Sequence, residues 1–292
     1  MLNSQDLSLA GLRKGMKKGE STRSGMLWEV ERILEECKEL NALPNILFME
    51  NVPEVIGKNN IKDFQKWIEK LESLGYENHV KCLNSKDYGV PQNRNRCFMI
   101  SILGEYVYKF PQPFELKLRL KDLLESNVDE KYYLSNKMVK YITADNEKWT
   151  GNNNKSLINK KVASTLNTNE GSRRCDASNN TFICVPEATK KGYAEAHEGD
   201  GVYINRPHQK RGVVQKGMIQ TLKTNPDVGV VAKQNYNLRI RKLTPKECFR
   251  LMGVKDEDFD KIKNNQSDSS LWHLAGDSIV TSVMYYMFKN LF

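Results

Sequence analysis

The clearest signal along the chain is a change in the spacing of its apolar residues. Ile46-Leu47-Phe48-Met49 is an unbroken apolar run that ends abruptly in Glu50-Asn51-Val52-Pro53. A run without polar alternation predicts a strand covered on both faces, as in a parallel sheet under helices. On either side the spacing becomes helical. Met26, Leu27, Val30, Ile33, Leu34, Cys37 and Leu40 fall on one face, as do Ile61, Phe64, Trp67, Ile68, Leu71 and Leu74. Gly75 then stands where a helix C-terminal cap belongs. A strand over 76–83, a polar loop over 87–96 and a second unbroken apolar run, Cys97 to Leu103, follow. This strand–helix–strand alternation predicts an α/β domain with right-handed crossovers.

The pattern breaks at Phe110-Pro111-Gln112-Pro113. The reading is a first domain over 1–115, a connector over 116–150, an inserted domain over 151–238 and a return to the first domain over 239–292. The inserted stretch is rich in Asn, Lys, Gly and Thr with few long apolar runs, which predicts a small irregular or β-rich domain. Thr244-Pro245-Lys246-Glu247 opens a helix with a capping box and a first-turn proline, and Gly253 closes it. The last element, apolar at Val280, Val283, Met284, Met287, Phe288 and Leu291, is expected to pack back on the first domain.

Charge sharpens the division. Residues 151–242 hold 16 Lys+Arg against 7 Asp+Glu, so the whole excess of +9 lies there and the rest of the chain balances. Such a footprint suits a polyanion, above all nucleic acid. The 292 residues suffice for a sizeable core. No apolar run is long enough to span a bilayer and no signal peptide opens the chain, so neither membrane nor secretion is expected. The six cysteines include no Cys-x-x-Cys pair, which argues against zinc, and four of them sit in apolar stretches, as expected of small core residues in a reducing cytoplasm.

In open α/β sheets ligands bind outside the carboxyl ends of the strands, so Glu50 is either a working acid or a cap on the next helix. The rest of the chain favours the first. Glu50-Asn51-Val52 is followed some forty residues later by Gln92-x-Arg94-x-Arg96. Further on come Gly217-Met218-Ile219-Gln220-Thr221-Leu222, Arg241-Lys242-Leu243-Thr244-Pro245-Lys246-Glu247, Arg250-Leu251-Met252-Gly253 and Gly276-Asp277-Ser278-Ile279-Val280. In this order the blocks resemble the cytosine-5 DNA methyltransferase family, and the resemblance runs from about residue 4 to the C-terminus.

The resemblance implies an incomplete Rossmann-like methyltransferase sheet carrying a target recognition domain. It implies S-adenosylmethionine as methyl donor and duplex DNA as substrate, the target cytosine being flipped into the pocket. Glu50 would donate to the ring nitrogen N3, while Arg94 and Arg96, two apart and pointing alike, would hold the base carbonyl and a phosphate. Met26, Asn51 and Asp277 fall at cofactor positions. Gln92, Arg206, Lys210, Arg211, Lys216 and Thr221 are the DNA-binding candidates, most of them chosen for charge. No metal is implied.

Asp277 stands where the family's closing block has an Asn, keeping an oxygen acceptor but adding charge, and the chain departs from the family's pattern in two further places. Ser4 stands where the family has its nucleophilic cysteine, and a serine hydroxyl ionises negligibly at neutral pH without a dedicated base. The glycine-rich cofactor loop expected upstream of that point has no counterpart elsewhere in the chain. The expectations are a half of a split enzyme completed by a separate N-terminal polypeptide, a truncated product, or a non-catalytic DNA-binding remnant. All three predict poor stability and little methyl transfer by the chain alone. A tRNA cytosine methyltransferase of the same fold is the remaining alternative.

Overall fold

The computed structural model describes residues 27–143, 182–190, 192–206, 209–234 and 237–292. Ser4 and Met26 lie outside the described residues. The chain forms two compact units: Met1–Asn84, Asn95–Pro113 and Tyr285–Phe292 in the first, Ser85–Arg94 and Phe114–Met284 in the second.

In the first unit, α1 (Leu27–Glu39) leads to β1 (Ile46–Asn51), α2 (Ile61–Ser73) and β2 (Tyr76–Asn84). A two-residue strand, β3 (Gln92–Asn93), belongs to the second unit, and β4 (Asn95–Leu103) returns to the first. The sheet order is β1–β4–β2, with β4 antiparallel to both neighbours. This corrects the expectation of a parallel sheet. An unbroken apolar run reports cover on both faces but says nothing of strand direction. The central β4 is buried from Cys97 to Ile102, whereas β1 has β4 as its only strand partner among the described residues and stays half-buried from Ile46 to Glu50.

Side chains alternate across this sheet as the pleat requires. Leu47, Met49, Cys97, Met99, Val80 and Cys82 pack against Leu27, Leu34, Phe64, Trp67 and Leu71 of the two helices. Burial of each large apolar side chain contributes about 1.5–3 kcal/mol. On the opposite face Phe48 meets Phe98 and Phe288, with ring centroids 5.9 and 5.7 Å apart. Gly75, at φ 95°, turns the chain out of α2 in the left-handed conformation that glycine tolerates.

The second unit contains α3 (Asn136–Ile142), β5 (Ile183–Pro186), β6 (Tyr193–Ala196), β7 (Gly201–Tyr203), β8 (Val214–Gln215) and β9 (Ile219–Gln220). β10 (Val228–Gln234), β11 (Asn237–Lys242), α4 (Pro245–Leu251), α5 (Asp256–Ile262) and α6 (Asp268–Asp277) follow, and α7 (Thr281–Lys289) ends in the first unit. An antiparallel sheet runs β11–β10–β7–β8, β5 pairs with β6, and β3 runs parallel to β9. Val202, Ile204, Val213, Val231 and Ile240 are among the side chains that fill its core.

Helix α4 begins as its sequence predicts. Thr244 Oγ1 accepts from the Glu247 amide at 3.2 Å, and the Thr244 amide donates to Glu247 Oε2 at 2.8 Å. Glu247 also holds Arg241 through two 2.7 Å bonds, with both side chains fully buried. Among the described residues no helix is long and apolar enough to cross a membrane, and no cluster of three or more His, Cys, Asp or Glu is placed to hold a metal ion.

Candidate active site

The end of β1 is built by its own side chains. Asn51 is buried and turned back on the chain, its Oδ1 accepting from the Val52 amide at 2.8 Å. Pro53 then starts a single 3-10 turn, Pro53–Ile56, and Asn60 Nδ2 donates to the Glu54 carbonyl at 2.8 Å. Glu50, one residue before Asn51, points to the other face of the sheet.

On that face Glu50 stands opposite Phe98, and Arg96 lies two residues along β4. Diagonal neighbours of this kind are within reach of long side chains. Arg96 Nε lies 3.0 Å from Glu50 Oε1, with side-chain exposures of 17% and 10%. Oε1 makes no directed hydrogen bond, so the contact is an ion pair with no N–H aimed at that oxygen. Burial pulls the Arg96 guanidinium below its usual value, and Glu50 opposes that shift. A carboxylate and a guanidinium side by side offer complementary groups to a planar heterocycle.

Arg94 is placed differently, although its spacing suggested a shared direction with Arg96. It belongs to the second unit, is 4% exposed, and donates to three backbone carbonyls: Leu222 at 3.0 Å, Gly276 at 3.1 Å and Ser278 at 2.9 Å. Its guanidinium thus gathers a loop, a helix end and the residue after it. Gln92, expected on DNA, is fully buried instead. Its Nε2 donates to the Leu251 carbonyl at 2.9 Å, and its Oε1 accepts from the Leu222 amide at 3.2 Å. Thr221 Oγ1 donates to the Asn93 carbonyl at 2.7 Å, beside the β3–β9 pairing. Gly276 is the point of closest approach here. A Cβ there would stand 2.5 Å or less from the Lys223 and Thr224 backbone.

The charged candidates of the second unit divide by partner. Arg206 Nε lies 2.8 Å from Asp227 Oδ2, and Lys216 Nζ lies 3.0 Å from Asp200. Lys210 and Arg211 are exposed, with no side-chain partner among the described residues. Their backbone is pinned, since the Ala188 amide donates to the Lys210 carbonyl, Gln209 to the Arg211 carbonyl and the Gly212 amide to Glu187. The sequence reading missed Asp200 and Asp227. Nothing local marks an aspartate as the anchor of a distant cation.

Of the residues assigned to S-adenosylmethionine, Met26 lies outside the described residues and Asn51 is turned onto its own backbone. Asp277 is exposed at the end of α6, 3.3 Å from His273 Nδ1. Among the described residues, Asn51 and Asp277 do not by themselves make a site for the cofactor. Cys97, directly opposite Asn51, does not substitute for the cysteine expected at position 4. Burial pushes its thiol up to about 12, which leaves it protonated at neutral pH.

The profile of the C-5 cytosine-specific DNA methylase family matches residues 4–292. The chain is 35% identical to the Type II methyltransferase M2.ScrFI of Lactococcus lactis subsp. cremoris over 99% of its own length and 64% of that protein's. It is 27% identical to the Type II methyltransferase M.HhaI of Haemophilus parahaemolyticus, over 98% and 72%. It is 45% identical to the orphan methyltransferase M.SssI of Spiroplasma monobiae, over 53% and 39%. The chain therefore spans less than two thirds of two of these relatives. Among solved structures, it resembles DNMT2 of Spodoptera frugiperda with a TM-score of 0.54 at 16% identity, covering 94% of this chain and 75% of that one. It resembles the Dnmt2 methyltransferase of S. pombe at 0.53 and 17%, covering 95% and 75%.

Proposed function

The chain belongs to the C-5 cytosine-specific DNA methylase family, and on that premise we propose that it serves methyl transfer to C5 of a cytosine flipped out of a specific duplex site. In this reading the two units are part of a Rossmann-like methyltransferase sheet and its target recognition domain. The observation that carries the reading is the Glu50–Arg96 pair on one face at the end of β1.

Transfer at C5 requires the ring to become electron-rich, and negative charge then builds at N3. Glu50 meets the N3 edge and holds a proton there, while Arg96 donates to the base carbonyl. The two charges offset each other, and the oxygen of Glu50 left without a directed hydrogen bond is free to engage the base that enters. Arg94 acts as a positioning residue that holds its loop through three carbonyls. In the second unit Lys210 and Arg211 are exposed and without side-chain partners among the described residues, which supports a duplex substrate whose phosphates they meet. S-adenosylmethionine is the donor of this reading. The residues described hold the base and not the donor.

Base capture is measurable without chemistry. Duplexes selected by the chain from a random pool would carry a fluorescent cytosine analogue at each cytosine in turn. One position should brighten when the chain binds. In E50A and R96A that signal should fall more than tenfold at matched occupancy. No brightening at any position would overturn the proposal.

A further inference from the structure

Four arginines are described between residues 182 and 242, and they are held in four different ways. Arg241 is fully buried with its guanidinium engaged by Glu247. Arg239 directs both Nη groups at Glu130. Arg211 is exposed and has no side-chain partner among the described residues. Arg206 differs from all three. Its Nε lies 2.8 Å from Asp227 Oδ2, the one ion pair of this side chain among the described residues, and its guanidinium carbon lies over the Tyr203 ring, 5.1 Å from the centroid.

The consequence is geometric. A carboxylate at Nε and a ring against the guanidinium restrict its plane, and the terminal Nη pair has no partner among the described residues. The side chain is 33% exposed. Asp227 is itself a firm support: its side chain is 7% exposed, and Lys223 Nζ reaches the same oxygen at 3.0 Å. Its carbonyl accepts from the Ile204 amide at 2.9 Å, which ties the carboxylate to the strand end that presents Arg206. A phosphate contact needs only charge and tolerates a loose side chain. A preset planar fork matches a pair of acceptors in one plane, and O6 and N7 of guanine in the major groove are such a pair.

We propose that Arg206 determines sequence specificity by reading a guanine in the duplex site, with Asp227 and Tyr203 as the residues that orient it. The inference rests on the reading of duplex DNA as substrate and adds to it one base of the site.

The test compares the intact chain with R206K and D227N by selection from a random duplex pool, followed by affinities for the selected duplex and its variants. The selected site should contain an invariant guanine. R206K keeps the charge but loses the fork, and should lower the preference for that guanine about tenfold or more. D227N should lower it at the same position by a smaller factor. K210A, by contrast, should weaken all duplexes alike and leave the preference intact. A selected site without guanine, or an R206K chain that keeps the full preference, overturns this inference alone. An intact chain that selects no duplex sequence overturns the proposed function together with it.

Discussion

Arg94 and Arg96 are the same residue type two positions apart, and the structure uses them in unlike ways. Arg96 meets a carboxylate across the sheet, and Arg94 collects main-chain carbonyls. Sequence spacing could not separate them, because the difference lies in what the fold brings up against each. The place of Glu50 at the end of β1, by contrast, is visible in the sequence. A carboxylate that ends an unbroken apolar run stands out from its neighbours. Removing one partner of a buried ion pair leaves the other charge unsatisfied. R96A should therefore lower stability by about 2 kcal/mol, less than for a fully buried pair because both side chains keep some exposure. Urea unfolding monitors this, and adding E50Q should restore part of the loss. Cys97 gives a second prediction. A thiol raised to about 12 is neutral below that pH, so iodoacetamide at pH 8 should leave Cys97 unmodified in the native chain and label it after unfolding. Peptide mass spectrometry reads the outcome, and fast native labelling would contradict the burial described.

Helix limits were readable because capping is local chemistry. Thr244, Pro245 and Glu247 lie within four residues, and the bonds they imply are the bonds observed. Gly75 and Gly253 end their helices at φ 95° and 77° for the same reason. Strand direction was not readable, since residues far apart in the chain decide it. The partners of Gln92 lay out of view too, at Leu222 and Leu251. The cap at Thr244 does more than start a helix, because its hydroxyl also meets Glu125 Oε2 at 2.5 Å. T244A should destabilise the second unit by about 1–2 kcal/mol, and T244S should recover most of it. Thermal unfolding of the three chains makes the comparison, and an unchanged T244A would remove the cap from the account of α4.

At the scale of the whole molecule the excess charge of +9 was visible as a block in the sequence, but its availability was not. Arg206, Lys216, Lys223, Arg239 and Arg241 all have acidic partners. Among the described residues fewer cations are therefore open to phosphate than the count suggests, Lys210 and Arg211 being two of those that are exposed and without an acidic partner. Duplex affinity should fall linearly with salt on logarithmic axes, and each of K210A and R211A should shallow the slope by about one. A slope untouched by both would exclude that loop from phosphate contact. The segment Ser85–Arg94 bears on how such proteins could be recombined. It leaves one strand of the first unit and rejoins the next, yet its side chains and its short strand are bonded to residues of the second. A chimera that borrowed only residues 114–284 from a relative would leave these ten residues facing a foreign surface. Any transplant of recognition should carry both pieces, taken from the same donor.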